Sequence, residues 1–330
     1  MKALANQIKS FFAPRGLKEH KGEIIQWGSL IFVVVLFSIL TEGNIFSTYN
    51  LKTLVGQISS LLIMACGLLF VFSCGSFDIA SGSVAGLCSL LMVLIANETG
   101  QLWIGIIVSI VLSMILYALQ CFISIKFKLV TTIASLAIMF SCRGVITYVC
   151  SLSDGVVHVN DYNLISNLKS NWVLQLAITI IVILITGFLF NFTKLGKQAK
   201  AIGDNSLSAK QNGVNVDGIK YFSYILAGLL VGIASIFLMA RSGSIGKSIG
   251  SGMEMDIMIA IILGGMNLNG GSKSKMSAAV IGCITYRLLS NGMTMAGVPT
   301  NYISLVKGII FLIIIFMTLR QSKNVKEMPR

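Results

Sequence analysis

Residues 67–83 read GLLFVFSCGSFDIASGS. Up to Cys74 the run is apolar enough to lie in hydrocarbon. From Gly75 it is not: Gly75, Ser76, Phe77, Asp78, Ser81, Gly82 and Ser83 place a carboxylate, hydroxyls and glycines between two greasy segments. A bilayer satisfies no bare backbone groups, so irregular chain at membrane depth survives only inside protein or along a water-filled cavity. A carboxylate there costs roughly 2.5–3.5 kcal/mol on insertion scales and marks a functional position by default. The reading is an interrupted membrane helix whose break, at Phe77, Asp78, Ser81 and Gly82, lines a transport pathway. A second reading stays open beside it, in which Asp78 caps the following helix.

Composition agrees with a membrane setting. Apolar residues make up 55% of the 330-residue chain and charged residues only 11%, against about 25% charged in soluble domains. The net charge of +13 follows from the bias of cytoplasmic loops toward Lys and Arg and needs no nucleic acid. Seven cysteines (66, 74, 88, 121, 142, 150 and 283) sit in or beside apolar runs without a C-x-x-C pair, and read as small hydrophobes. His20 and His158 are the only histidines, which argues against a histidine metal site. The apolar run after Ile24 is long for a signal peptide and lacks an A-x-A site.

Outward from the break, the expectation is an all-α polytopic membrane protein of about ten spans with broken helices in its core. The spans fall near 24–41, 53–74, 83–97, 102–125, 129–152, 172–191, 219–240, 254–264, 276–290 and 302–319. The third, eighth and ninth are short for a lone crossing of about 20 residues, and an eight-span arrangement with two re-entrant segments is the alternative. The division is a basic cytoplasmic arm over 1–23, a transmembrane domain over 24–320 and a cytoplasmic tail over 321–330, with both termini inside. In this frame eighteen Lys and Arg fall on inside segments and four (Lys52, Lys169, Arg241 and Lys247) outside, the asymmetry that the positive-inside rule requires. Arg143, Arg287 and Lys307 remain within spans. Arg287 is read as snorkelling outward. Arg143 is expected to pair inside the protein, and Lys307 either to snorkel or to pair with a carboxylate such as Asp256 or Glu254.

Two further stretches carry organisation. Residues 264–272, GGMNLNGGS, align over 75–83, GSFDIASGS, with Asn267 on Asp78 and Asn269 on Ala80. The expectation is that the two breaks line one pathway, although Gly, Ser and Asn are also what any broken helix uses. The long inside loop 192–219 is expected to hold a short helix over 206–211, with polar starts at Asp204 and Asn205 and a stop at Gly213. On residues alone it is equally a basic loop on lipid headgroups. Gly82-x-x-x-Gly86 and Gly228-x-x-x-Gly232 announce close helix packing. No complete phosphate-binding loop, nucleophile elbow or zincin helix is present, so ATP-driven work would need another subunit.

Several ordered motifs together carry a resemblance. GLLFVFSCGSFDIASGS, TKLGKQAKAIGDNSLSAKQNGVNV, MEMDIMIAIILGGMNLNGGS and GVPTNYISLVKGIIFLI resemble successive motifs of the permeases of bacterial ABC sugar importers, of the ribose/galactose/xylose type. The likeness runs from about residue 50 to 320. Branched-chain amino acid permeases are relatives that carry a different run at 77–82. The chain departs from the pattern at Leu129-Val130-Thr131-Thr132, where a proline pair is usual, and at Ser206-Leu207-Ser208.

The resemblance implies a two-copy pore in the bacterial plasma membrane, working with an extracytoplasmic sugar-binding protein and a cytoplasmic ABC ATPase. ATP and Mg would sit on that ATPase, leaving this chain without a cofactor or enzymatic activity of its own. It also implies that Ala201, Ile202, Gly203, Asp204, Asn205, Ala209 and Gly213 form the segment that the ATPase grips. The alternatives are an ion-gradient-driven transporter with Asp78 as its ion site, or an ABC permease for another small solute such as a branched-chain amino acid or nucleoside.

Overall fold

The computed structural model describes residues 21–161, 163–266, 270–299, 301–310 and 312. Among these residues the fold is all-α apart from one short β ladder. In chain order the elements are α1 (Lys21–Leu40), α2 (Thr48–Ser73), α3 (Ser81–Thr99), α4 (Leu102–Lys126), α5 (Thr131–Leu152), β1 (Val156–His158), α6 (Asn163–Ser170), α7 (Trp172–Phe192), α8 (Lys194–Asp204), α9 (Ser206–Gln211), α10 (Val216–Ser242), β2 (Ser244–Gly246), α11 (Met253–Leu263) and α12 (Met276–Met295). A last helix occupies 301–310.

Six of these (α2, α3, α4, α5, α7 and α10) are long and apolar enough to cross a membrane. They divide by burial. Within their most apolar windows α2 is 78% buried and α3 and α10 are 67% buried, whereas α4 and α7 are 28% buried. A helix that is apolar all round belongs in a protein core or in lipid. Here α2, α3 and α10 form the core, and α4, α5 and α7 turn side chains such as Trp103, Ile107, Phe140, Leu184 and Phe188 outward.

Small residues draw the core together. A side chain at Gly228 would stand 2.9 Å from the Ser113 carbonyl, and one at Gly232 equally close to Ile110 Cα. The Ser113 hydroxyl donates to the Gly228 carbonyl at 2.7 Å. The G-x-x-x-G of α10 is therefore its contact with α4.

Two of the helices are longer than the apolar pattern implies. α3 has 19 residues and α12 has 20, because helical hydrogen bonding continues through polar residues such as Asn97 and Asn291, where the hydropathy signal stops. Of the three segments expected to be short spans, α11 alone is short, with 11 residues, about 16 Å at 1.5 Å per residue. The chain before it folds inward and, with the first turn of α11, meets the start of α3: Gly250 and Glu254 lie against Gly82, and Ile249 against Gly86. At the far end β1 pairs antiparallel with β2, Val157 opposite Ile245. The seven cysteines are all buried and free.

Candidate functional site

α2 ends at Ser73, and Gly75 takes a left-handed φ of +71° that turns the chain out of helix. Asp78 follows with no exposed surface. Its Oδ1 accepts from the Ala80 amide at 3.3 Å and from Gln120 Nε2 at 2.8 Å. Its Oδ2 accepts from the Ser81 amide at 3.0 Å and from the Tyr117 hydroxyl at 2.9 Å. Two of these donors are free amides at the start of α3, so Asp78 caps that helix. The other two stand three residues apart on one face of α4. Four donors on a buried carboxylate meet the demand that burial sets.

The rest of this break is equally enclosed. Ser81 and Ser83 have no exposed surface, and their hydroxyls, with Gln120 Oε1, are buried without a protein partner. Gly82 carries no side chain because Glu254 and Gly250 occupy the space. The Phe77 amide reaches the Thr131 hydroxyl at 3.3 Å, and its ring tilts against Phe72, centroids 5.8 Å apart.

The second break begins after Leu263, where Gln26 of α1 donates through Nε2 to the Gly264 carbonyl. Asn267 and Asn269 lie outside the described residues. Gly270 and Gly271 have φ of +67° and +84°, values that favour glycine. There the two breaks meet, the Gly271 amide donating to the Ser73 carbonyl at 3.1 Å.

The end of α8 closes on the same point. A side chain at Gly203 would overlap the Ser73 carbonyl and stand 2.6 Å from the Gly271 amide. Asp204 Oδ1 accepts from the Ser272 amide at 3.0 Å and from its hydroxyl at 3.2 Å. Ile202 and Ala199 bury against Cys74 and Ala209. Beyond the junction Asn205 caps α9, its Oδ1 accepting from the Leu207 and Ser208 amides at 3.0 Å each, and Gly213 ends the segment with φ of +81°. Ala201, Asn205 and Gly213 are exposed. Lys200 lies 4.3 Å from the centre of the Phe190 ring. Burial there, and the positive charge of Lys275, pull its ammonium below the ordinary lysine range.

The charged residues of the expected spans form two groups. Asp256 accepts from the Tyr286 hydroxyl, from Lys307 Nζ at 3.2 Å, and faces Arg287 at 3.7 Å. Arg287 is thus buried and ion-paired rather than snorkelling, a correction that follows from Asp256 standing beside it. Arg143 donates to the Ile249 carbonyl at 2.6 Å, and among the described residues it has no carboxylate within ion-pair distance.

Sequence reasoning passed over Tyr117, Gln120 and Gln26. A glutamine inside the greasy α4, three residues after a tyrosine, was the available signal. The loop 192–219 also holds α8, whose lysine-rich stretch had no apolar period long enough to announce a helix.

Residues 50–315 match the family described as "Branched-chain amino acid transport system / permease component". The L-arabinose transport system permease protein AraH of Escherichia coli K12 is 31% identical over 293 residues, covering 87% of this chain and 88% of that protein. The ribose import permease protein RbsC of the same strain is 28% identical over 318 residues, with 90% and 94% covered. Its namesake from Bacillus subtilis 168 is 28% identical over 305 residues, with 88% and 91% covered. No solved structure matches the chain.

Proposed function

Because the chain belongs to the branched-chain amino acid transport system / permease component family, and its relatives AraH and RbsC are sugar permeases, we propose that it is the transmembrane subunit of an ABC importer for a monosaccharide. It is a bacterial inner-membrane protein, and ATP is hydrolysed on a separate ATPase. A binding protein delivers the sugar from outside, and two copies of the chain form the pore. The excess of Lys and Arg on alternate segments supports a cytoplasmic position for α8, α9 and both termini.

The observation that carries the mechanism is the junction of Gly203 and Asp204 with Ser73, Gly271 and Ser272. The ATPase grips α9 and the exposed face of α8. Closure of its nucleotide sites shifts this pair, and the shift passes into both breaks at once, because no spare space separates Gly203 from the backbone at Ser73 and Gly271. Packed interfaces respond to such shifts as two-state elements. The polar atoms left without protein partners at Ser81, Ser83 and Gln120 meet the sugar hydroxyls once the break opens. Asp78 holds the frame. A gradient-driven transporter needs an ionisable group open to its ion, and Asp78 is fully buried under four donors.

The test is a cysteine at the exposed Ser208 of α9. Ser208→Cys is expected to cross-link to the ATPase of the assembled importer in a nucleotide-dependent manner, and to react with impermeant thiol reagents only in inside-out vesicles. Labelling from the exterior overturns the reading.

A further inference from the structure

A cavity of about 330 Å³ opens beside the Asp256 cluster. Arg241 of α10, Ser248, Gly250 and Ser251 of the infolded loop, Asp256 of α11 and Arg287 of α12 line it. That volume is at the lower end for ligand pockets, about 300–1,000 Å³, and suits a small polar molecule.

Its charges do not balance. Among the described residues Arg241, Arg287 and Lys307 stand near one carboxylate that faces this space, Asp256, and that carboxylate is already taken. Tyr286 and Lys307 occupy Oδ1, and Arg287 stands at 3.7 Å from Oδ2. Glu254 does not help, since it turns to the Gly252 amide and to Gly82. Arg287 is 8% exposed, and its Nε is buried with no acceptor. A buried guanidinium nitrogen without a partner costs on the order of 1–3 kcal/mol or more. Pairing with Asp256 accounts for one edge of this guanidinium and leaves the Nε unexplained. Arg241 lies at the end of α10, where a cation suits the helix terminus, yet its side chain still lines the same space.

We propose that this cavity is an oxyanion site, holding one carboxylate or phosphate group between Arg241 and Arg287. Planar guanidinium forks match these groups through paired N–H···O bonds, and serine hydroxyls at the rim supply further donors. The group comes either from an acidic sugar derivative or from an anionic lipid headgroup at the membrane surface.

Binding is read on the full chain without its ATPase, so the result stands apart from the importer reading. The purified protein in phosphatidylcholine nanodiscs is titrated calorimetrically with galacturonate, with inorganic phosphate and with neutral galactose. A second preparation contains phosphatidylglycerol. Saturable binding of galacturonate or phosphate but not galactose, weakened at least tenfold by Arg241→Gln and by salt, supports the site with a solute as its source. Retention of phosphatidylglycerol through purification, with loss of solute binding in the second preparation, supports it with lipid as the source. Arg287→Gln risks misfolding by freeing Asp256, so Arg241→Gln, at the exposed rim, is the deciding variant, with its thermal unfolding followed in parallel. The absence of saturable binding of both galacturonate and phosphate together with no retention of phosphatidylglycerol, or wild-type affinity in a folded Arg241→Gln protein, overturns the proposal.

Discussion

The two breaks in this protein read alike in sequence, yet they are held by different means. The first, at residues 75–80, is organised by a side chain: Asp78 gathers two amides of α3 and two side chains of α4. The second, in its described residues Gly264–Gly265 and Gly270–Gly271, is organised mainly by missing side chains, with Gln26 on the Gly264 carbonyl. A methyl at Gly264 would overlap the Ala278 carbonyl, and one at Gly270 the Phe72 carbonyl. The lesson is that a broken membrane helix can satisfy its backbone with a carboxylate or by laying main chain against main chain. The first fixes a break to its neighbours, and the second lets it fit where two other segments pass.

That contrast predicts opposite sensitivities. Removing side chains should damage the first break, and adding them should damage the second. The largest effect is expected from Asp78→Ala, which strands four buried donors and destabilises the fold by about 3–5 kcal/mol. Thermal unfolding in detergent measures it, and a loss below about 1 kcal/mol would mean that the cluster is not what holds the break. Next comes Gly203→Ala, where overpacking costs about 1–3 kcal/mol. It should also separate ATP hydrolysis from uptake in the reconstituted importer, and tight coupling in this variant would break the mechanical link.

Smaller again is Tyr117→Phe, which removes one donor from Asp78 and should cost about 1–2 kcal/mol. Gln120→Leu should exceed it slightly by removing the shorter of the two bonds. Asp204→Ala is expected to change stability least, under about 1 kcal/mol, since its bonds to Ser272 lie at an exposed position. Its effect should instead appear as weaker stimulation of the ATPase by the loaded binding protein. Equal stability losses from Asp78→Ala and Asp204→Ala would erase the distinction between the breaks.

Much of this was legible in the sequence. The apolar runs placed the long helices. The interruption at Gly75 and Asp78 marked the first break, because a carboxylate inside a greasy run is too costly to persist without a structural or functional need. α9 was readable from Asn205 and Gly213, which supply a cap and a left-handed stop. Helix ends were less legible where polar residues extend a helix beyond its apolar stretch, as in α3 and α12. The partners of Asp78 were not legible, because tertiary contact between residues 39 and 42 positions apart leaves no local pattern. The pairing of Arg287 was hidden for the same reason.

The account depends on the chain being a gate moved from outside itself. The most direct measurement is accumulation of radiolabelled arabinose and ribose in liposomes holding this chain, with and without its ATPase, binding protein and ATP. The account predicts accumulation of a sugar against its gradient only when all three are supplied. Uphill uptake by the chain alone under a proton or sodium gradient would contradict it.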